Sequence, residues 1–240
     1  MNATLRLRAR RAMMLTLAVL AVLPARTECE DAPSPAPAAR TIILVRHGHY
    51  VADEADSSPG PGLSPLGFAQ AKLVAARLAG MPGRFDAILA SPMTRAQETA
   101  KTIAAELPGV PFETLHDLEE CTPATRRNEV TKDEKPEEMA ACAAKLDAVF
   151  EKQFVTAKGE ERRELFVCHG NVIRYLVTKA LGVDTQAWLE MSVGHASLTQ
   201  IRVEPDGRFK VIAVGDIGHV PPNLQTGATG MGDKRLATPQ

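Results

Sequence analysis

The feature that most constrains the fold of this 240-residue chain is an alternation of short apolar runs with helical segments between residues 41 and 183. The apolar runs at residues 42–45, 85–90 and 165–168 have the length and composition of buried strands. The segments between them are long enough for crossover helices. Because strands that are joined through helices lie parallel in one sheet, the alternation predicts an α/β domain with a mostly parallel sheet.

Local start and stop signals set the limits of the helices. Ser64 and Pro65 are typical of an N-cap followed by the first helical position, and Pro108-Gly109 ends a helical segment. The predicted helices span residues 64–79, 93–107, 135–157 and 171–181. Two further strands, at residues 197–203 and 208–214, flank Asp206-Gly207, which is a hairpin-turn sequence.

Charged and nucleophilic side chains follow three of the predicted strands. Arg46 and His47 follow the first, Arg95 lies in the helical turn after the second, and His169 follows the third. Because the carboxyl ends of parallel strands meet at one edge, we expect these side chains to converge near helix N-termini, which favour anions. Arginine suits a phosphate, and a neutral imidazole is a competent nucleophile at pH 7. The cluster therefore predicts a site for a phosphoryl group.

The N-terminal region has a different composition from the rest of the chain. Four arginines precede an apolar run at residues 13–23, which Pro24 and Ala25 follow. This pattern is typical of an export signal over residues 1–25, and an uncleaved membrane anchor or an organelle-targeting segment are the alternatives. Residues 26–40 are rich in Pro, Ala and acidic residues and are predicted to be a flexible linker, with a folded domain at 41–222 and a mobile tail at 223–240.

Charge and cysteine content exclude some classes of function. The formal net charge of −1 gives no electrostatic basis for binding nucleic acid. The four cysteines are widely spaced and form no metal-binding pattern. Cys121 and Cys142 could pair in an oxidising compartment, and the sequence leaves their state open. His49, His116, His195 and His219 are expected to be structural or solvated, with His195 the one candidate for the rim of a pocket.

Three segments carry a family resemblance. RHG at residues 46–48, SPMTRAQETA at 91–100 and CHGNVIRYL at 168–176 resemble the histidine phosphatase (phosphoglycerate mutase-like) superfamily. Within it, residues 63–67, 169–175 and 215–222 are similar to segments of the mitochondrial serine/threonine protein phosphatases of the phosphoglycerate mutase family. The resemblance covers residues 41 to about 222 and implies a three-layer α/β/α sandwich.

The resemblance also implies roles for individual residues. His47 would attack phosphorus and become phosphorylated, while Arg46, Arg95 and His169 would hold the phosphoryl oxygens. Glu120 is the expected proton donor, and the neighbouring Glu119 remains an alternative. The arginines would neutralise the phosphoryl charge, so neither a metal nor a cofactor is expected.

These roles predict a metal-independent phosphatase that hydrolyses phosphomonoesters, with phosphoserine or phosphothreonine in proteins among the candidate substrates. A phosphoglycerate or phosphosugar mutase and a non-catalytic phosphate-binding module are the alternatives. The expected partner is a phosphorylated small molecule or a phosphoprotein. The N-terminal segment predicts a periplasmic or secreted protein, or else a membrane tether or an organelle-targeted protein. The sequence gives no prediction of the oligomeric state.

Overall fold

The computed structural model describes residues 35–51 and 59–227. Its strands are β1 (Pro37–Ala38), β2 (Arg40–Arg46), β3 (Ala87–Ala90), β4 (Phe112–Thr114), β5 (Ala157–Lys158), β6 (Arg162–Cys168), β7 (Leu198–Val203) and β8 (Phe209–Asp216). Its α-helices are α1 (Pro65–Ala79), α2 (Thr94–Glu106), α3 (Pro136–Gln153) and α4 (Gly170–Leu181). Short 3₁₀ helices span His116–Leu118, Thr185–Glu190 and Pro222–Leu224.

Six strands form the central sheet in the order β4-β3-β6-β2-β7-β8. The first four run parallel, and β7 and β8 are antiparallel to their neighbours. β2 and β6 are adjacent and end together, with Arg46 opposite Cys168 in the register. The residues that follow these two strands therefore leave the sheet side by side at its carboxyl edge, as the sequence predicts.

Helices cover both faces of the sheet. In β2, Ile43 and Val45 pack in a core cluster with residues of α1 and α2, while Ile42 and Leu44 pack in a second cluster with residues of α3 and α4. All four side chains are buried. Because successive side chains of a strand point to opposite faces, a continuous apolar run is required where both faces are covered. The predicted three-layer α/β/α sandwich is confirmed.

The predicted local signals fall at the ends of the elements. The hydroxyl oxygen of Ser64 accepts a hydrogen bond of 3.1 Å from the amide of Gly67 and caps α1, and Pro65 is its first residue. Gly207 adopts a φ of 84° in the turn between β7 and β8. Few side chains other than glycine tolerate that backbone region, which explains the hairpin signal at Asp206-Gly207. α3 ends four residues before the predicted limit, at Gln153.

The ordered structure extends beyond both predicted limits of the folded domain. At the N-terminal side, Pro37 and Ala38 pair with β5 within the segment predicted to be a linker. At the other end, the buried Thr226 accepts a hydrogen bond of 2.9 Å from Gln70 of α1 within the predicted tail. Backbone and side-chain hydrogen bonds thus order residues whose composition suggested mobility. The predicted export signal, the first part of the linker and the rest of the tail lie outside the described residues.

None of the helices in the part of the chain that the structure describes combines the length and the apolar character needed to cross a membrane. The apolar run at residues 13–23 is not within that part. The membrane tether therefore stays a prediction from the sequence.

Candidate active site

The carboxyl edge of the sheet brings together the side chains that the sequence assigned to one site. The imidazole rings of His47 and His169 lie 5.0 Å apart between centroids. Arg95, in the first turn of α2, donates from Nε to His47 Nε2 over 3.3 Å. All three side chains are almost completely buried, with exposed fractions of 1%, 0% and 2% for His47, His169 and Arg95. The predicted convergence of strand ends is present.

The proton of His47 is on the ring nitrogen that points away from this cluster. His47 Nδ1 lies 2.8 Å from the carbonyl oxygen of Gly48. Because a carbonyl oxygen can only accept, Nδ1 carries the proton and Nε2 presents its lone pair. Burial lowers the pKa of His47 well below its ordinary value, and the neighbouring His169 and Arg46 lower it further. His47 is therefore a neutral imidazole whose unprotonated Nε2 accepts a hydrogen bond from Arg95.

His169 lies between two polar groups of the site. Its Nε2 is 2.7 Å from the hydroxyl of Ser91, and its Nδ1 is 3.9 Å from the Glu120 carboxylate. Burial, followed by the charges of Arg95 and Arg46, lowers the pKa of His169 well below its ordinary value. His169 is thus available as a hydrogen-bonding group without adding a positive charge to the two guanidinium groups.

The Arg46 side chain is oriented by hydrogen bonds to the segment that follows the 3₁₀ helix Thr185–Glu190. Its guanidinium donates to the carbonyl oxygen of Val193 over 2.7 Å and to His195 Nε2 over 3.0 Å. Since Nε2 of His195 accepts, Nδ1 carries the proton and donates to Thr226 Oγ1 over 2.9 Å. Burial, reinforced by Arg46, lowers the pKa of His195 to about 2. His195 is a neutral support for Arg46 and not a rim residue.

Tyr50 is a further aromatic side chain of the site, and no motif in the sequence indicates it. The guanidinium carbon of Arg95 lies 4.4 Å from the centroid of the Tyr50 ring, which is a cation–π distance. The same ring meets the edge of His47 at 5.3 Å between centroids. Its position three residues after His47 is the only sequence signal for it. Tyr50 restricts the positions of both the cation and the imidazole.

Glu120 approaches the cluster from the segment after the 3₁₀ helix His116–Leu118. One carboxylate oxygen faces His169, and Oε1 is buried with no hydrogen-bond partner among the described residues. Burial raises the pKa of Glu120, although Arg46, Arg95 and Arg174 act in the opposite direction. A carboxyl with a raised pKa retains its proton to a higher pH, as a general acid requires. Between the two candidate carboxylates, this geometry favours Glu120 over Glu119.

Two glycines let the His47 loop pack tightly against the start of α1. A Cβ atom on Gly48 would overlap the carbonyl oxygen of Gly67, and one on Gly67 would overlap the carbonyl oxygen of His49. The amide of Ser64 also donates to the carbonyl oxygen of His49 over 3.0 Å. The glycine after His47 is therefore a steric requirement of this close backbone approach.

His47, His169 and Glu120 also have the atoms of a metal-binding set. One donor atom from each lies within 4.8 Å of the others. Two imidazoles and a carboxylate are ligands that zinc accepts. The guanidinium groups of Arg46 and Arg95 lie close enough to these side chains to shift their pKa values. Their positive charges favour an anion over a cation between the three side chains. The arrangement fits the tetrahedral, multiply charged oxygens of a phosphoryl group better than it fits a metal ion.

Comparison with known proteins agrees with this geometry. The model of the histidine phosphatase superfamily (branch 1) matches residues 42–216. The chain is 38% identical over 193 residues to the mitochondrial serine/threonine-protein phosphatase Pgam5 of Caenorhabditis elegans, covering 78% of this chain and 66% of that protein. It is 37% identical over 199 residues to the human protein of the same name, covering 80% of this chain and 67% of that protein.

A solved structure supports the fold. The phosphoglycerate mutase of Bacillus anthracis superposes with a TM-score of 0.59 at 19% identity, over 77% of this chain and 96% of that one. The chain spans about two thirds of the length of the curated relatives that it matches. The family model, the relatives and the three strand-end motifs agree: the chain belongs to branch 1 of the histidine phosphatase superfamily.

Proposed function

We propose that this phosphatase hydrolyses phosphomonoesters through a phosphohistidine formed on His47, with no metal or cofactor. The observation that carries the proposal is the unprotonated Nε2 of His47, buried beside two guanidinium groups and a second neutral imidazole. A phosphoryl group that binds to these guanidinium groups places its phosphorus next to the Nε2 lone pair, and the Arg95 guanidinium that donates to this nitrogen can then donate to a phosphoryl oxygen instead. Membership of the histidine phosphatase superfamily makes the protein an enzyme of this class.

The first step transfers the phosphoryl group to the enzyme. The lone pair on His47 Nε2 attacks phosphorus, and the bond between phosphorus and the ester oxygen breaks. Arg46, Arg95 and His169 bind the remaining phosphoryl oxygens, where charge is concentrated in the transition state. Protonated Glu120 gives its proton to the leaving oxygen, so the alcohol departs neutral and Glu120 becomes a carboxylate.

The second step returns the enzyme to its starting state. The Glu120 carboxylate removes a proton from water as the water oxygen attacks the phosphorus of phosphohistidine. The bond between phosphorus and Nε2 breaks, and inorganic phosphate leaves. Glu120 is protonated again and His47 is again neutral. One side chain thus serves as acid and then as base, which a raised carboxyl pKa permits.

Phosphoserine and phosphothreonine in proteins are the proposed substrates, and small phosphoesters are the alternative. The names of the relatives support this choice, because they describe serine/threonine-protein phosphatases. No specific observation favours the mutase or the binding module, since the solved mutases share only the fold at this identity. The absence of nucleic-acid binding and the possibility of a tether stay predictions from the sequence.

Location in an organelle is the alternative that the relatives support, because their names place them in mitochondria. The periplasmic or secreted location finds no such support. A disulfide joins Cys121 to Cys142, and disulfides persist in oxidising compartments. We therefore propose that residues 1–25 direct the protein to an organelle, and specifically to an oxidising space within it.

The pH dependence of the first step tests the ionisation states. Since the pKa of His47 is lowered, its nucleophilic neutral form persists below the ordinary imidazole value of 6.5. We expect kcat/KM for p-nitrophenyl phosphate to show no imidazole titration near pH 6.5 when measured from about pH 5 to 8. The profile is corrected for the second ionisation of the substrate. An acid limb at the ordinary imidazole pKa would contradict the neutral His47.

Metal independence and substrate class are tested together. We expect hydrolysis of p-nitrophenyl phosphate and of a phosphoserine peptide to continue in excess EDTA at the rate seen without it. Arginine side chains replace the metal ion in neutralising the phosphoryl charge, so a chelator removes nothing that the reaction needs. Loss of activity in EDTA that added zinc restores would overturn metal independence. Release of phosphate from glycerol phosphate but not from the peptide would assign the enzyme to small phosphoesters.

A further inference from the structure

The segment that carries Glu120 has no regular secondary structure. Residues 120–125 belong to neither a helix nor a strand. Separate hydrogen bonds hold this segment. Lys145 of α3 donates to the carbonyl oxygen of Glu119 over 2.9 Å, and the Asn171 side chain of α4 donates to that of Cys121 over 3.2 Å. The backbone amide of Asn171 also hydrogen-bonds the Glu120 carboxylate, and Trp188 donates to the carbonyl oxygen of Ala124 over 3.0 Å. Single hydrogen bonds of this kind contribute little net free energy, because each one replaces a hydrogen bond to water. They are weak restraints for a group that must stay within reach of a leaving oxygen.

A covalent restraint acts at the neighbouring residue. Cys121 follows Glu120 directly and forms a disulfide with Cys142 of α3, with their Cα atoms 5.8 Å apart. Cys142 is 4% exposed and packs in the core cluster with Leu146 and Leu118. The disulfide thus joins the residue next to the proposed proton donor to a fixed point in the hydrophobic core.

The nucleophile and the phosphate-binding groups do not depend on this disulfide. The amide of His47 donates to the carbonyl oxygen of Cys168 over 3.0 Å, and that of Arg46 donates to the carbonyl oxygen of Ser197 over 3.2 Å. Arg95 is the second residue of α2, and His169 immediately precedes α4. Each of these residues is fixed by the central sheet or by a helix packed on it. Loss of the disulfide would therefore act on Glu120 and leave the rest of the cluster in place.

We propose that the Cys121–Cys142 disulfide positions Glu120, so that its reduction by a dithiol impairs proton transfer while the phosphate site stays assembled. The inference rests on the proposed function. Under this proposal Cys121 and Cys142 are positioning residues. The activity of the enzyme then depends on whether its compartment is oxidising or reducing. Its effect is specific to substrates whose leaving oxygen needs a proton.

The chemistry of the reduction is ordinary thiol–disulfide exchange. A thiolate of the dithiol attacks the sulfur of the partly exposed Cys121, and the Cys142 thiolate leaves. The second thiol of the reagent then closes its own disulfide and releases Cys121, so two electrons and two protons reach the protein. Among the described residues, the remaining cysteine is Cys168, which is buried and free, and burial raises the pKa of its thiol. Cys168 is therefore a poor competitor for exchange.

The experiment compares two substrates before and after treatment with dithiothreitol. The first is p-nitrophenyl phosphate, whose nitrophenolate leaving group is stable and needs little proton donation. The second is a phosphoserine peptide, whose serine oxygen is a strongly basic alkoxide unless it is protonated as it leaves. The readout is kcat/KM, which reports the steps up to the first transfer. We expect reduction to lower kcat/KM for the peptide about 10- to 100-fold and to leave that for the aryl phosphate nearly unchanged. Reoxidation should restore the peptide activity.

Matched variants separate positioning from side effects of the reagent. The Cys121→Ser/Cys142→Ser double variant should show the reduced ratio of peptide to aryl activity and no response to dithiothreitol. In Glu120→Gln, reduction of the disulfide should not lower kcat/KM for the peptide any further. The substitution and the reduction both remove proton donation by Glu120, so their effects should not add. The thermal melting temperature of each form shows whether the fold persists.

The outcomes are distinguishable. A parallel fall of both activities, with or without loss of the fold, would make the disulfide a purely structural link and overturn the inference. An unchanged ratio after complete reduction would overturn it as well. If the oxidised wild type hydrolysed neither substrate, the proposed function itself would fail. The two outcomes above both start from an active oxidised enzyme, so the two failures can be told apart.

Discussion

His47→Ala is expected to lower kcat/KM for p-nitrophenyl phosphate by at least about 10⁴-fold, because no phosphoenzyme can form without the imidazole nitrogen. Arg46, Arg95 and His169 would still bind the substrate, so any residual activity would reflect positioning of water alone. The substitution removes a buried side chain that has a hydrogen bond to the Gly48 carbonyl oxygen. The melting temperature of the variant is therefore measured beside its steady-state kinetics.

His116→Ala is the matched control, since His116 is exposed in the 3₁₀ helix that precedes Glu120 and lies outside the cluster. It should retain wild-type kcat/KM. If a folded His47→Ala kept more than about a tenth of the wild-type activity, the nucleophile would be a different group, and the assignment would be wrong.

Glu120→Gln is expected to separate substrates by their leaving groups. Removal of a positioned general acid costs about 10²- to 10⁴-fold, and we expect a loss of that size in kcat/KM for a phosphoserine peptide. The loss for p-nitrophenyl phosphate should be much smaller, because its leaving oxygen departs without a proton. Since Glu120 also activates water in the second step, the variant should release one equivalent of nitrophenol in a burst and then turn over slowly.

Glu119→Gln is the control for this prediction. This substitution changes the side chain next to Glu120. It leaves in place the backbone carbonyl of Glu119, which accepts a hydrogen bond from Lys145. The variant should keep kcat/KM for the peptide and for p-nitrophenyl phosphate within a few-fold of the wild-type values. If Glu119→Gln produced the dependence on leaving group and Glu120→Gln did not, the proton donor would be Glu119.

Much of the fold could be predicted because its signals are local and periodic. The apolar runs of β2 and β6 are buried on both faces, so every residue had to be apolar there. Ser64-Pro65 and Asp206-Gly207 specify a helix start and a turn through their own backbone preferences. The convergence of His47, Arg95 and His169 followed from one rule, that parallel strands end at the same edge.

The rest of the site depends on contacts between distant segments, for which the sequence carries no local signal. His195 meets Arg46 across 149 positions, and Cys121 meets Cys142 across 21. Glu119 and Glu120 lie in a segment without periodic structure, where no pattern shows which of two adjacent carboxylates faces His169. The order at both domain limits comes from pairing with β5 and from the bond between Gln70 and Thr226, which composition cannot indicate.

His47 is expected to carry the phosphoryl group during turnover, and trapping the phosphoenzyme shows whether it does. Wild type and His47→Ala are mixed with a radiolabelled phosphoserine peptide, quenched in base within the first turnover, digested and mapped by mass spectrometry. We expect acid-labile, base-stable phosphate on the peptide that contains His47 in the wild type, and none in His47→Ala. Label on another residue, or hydrolysis with no trapped phosphate in either protein, would contradict it.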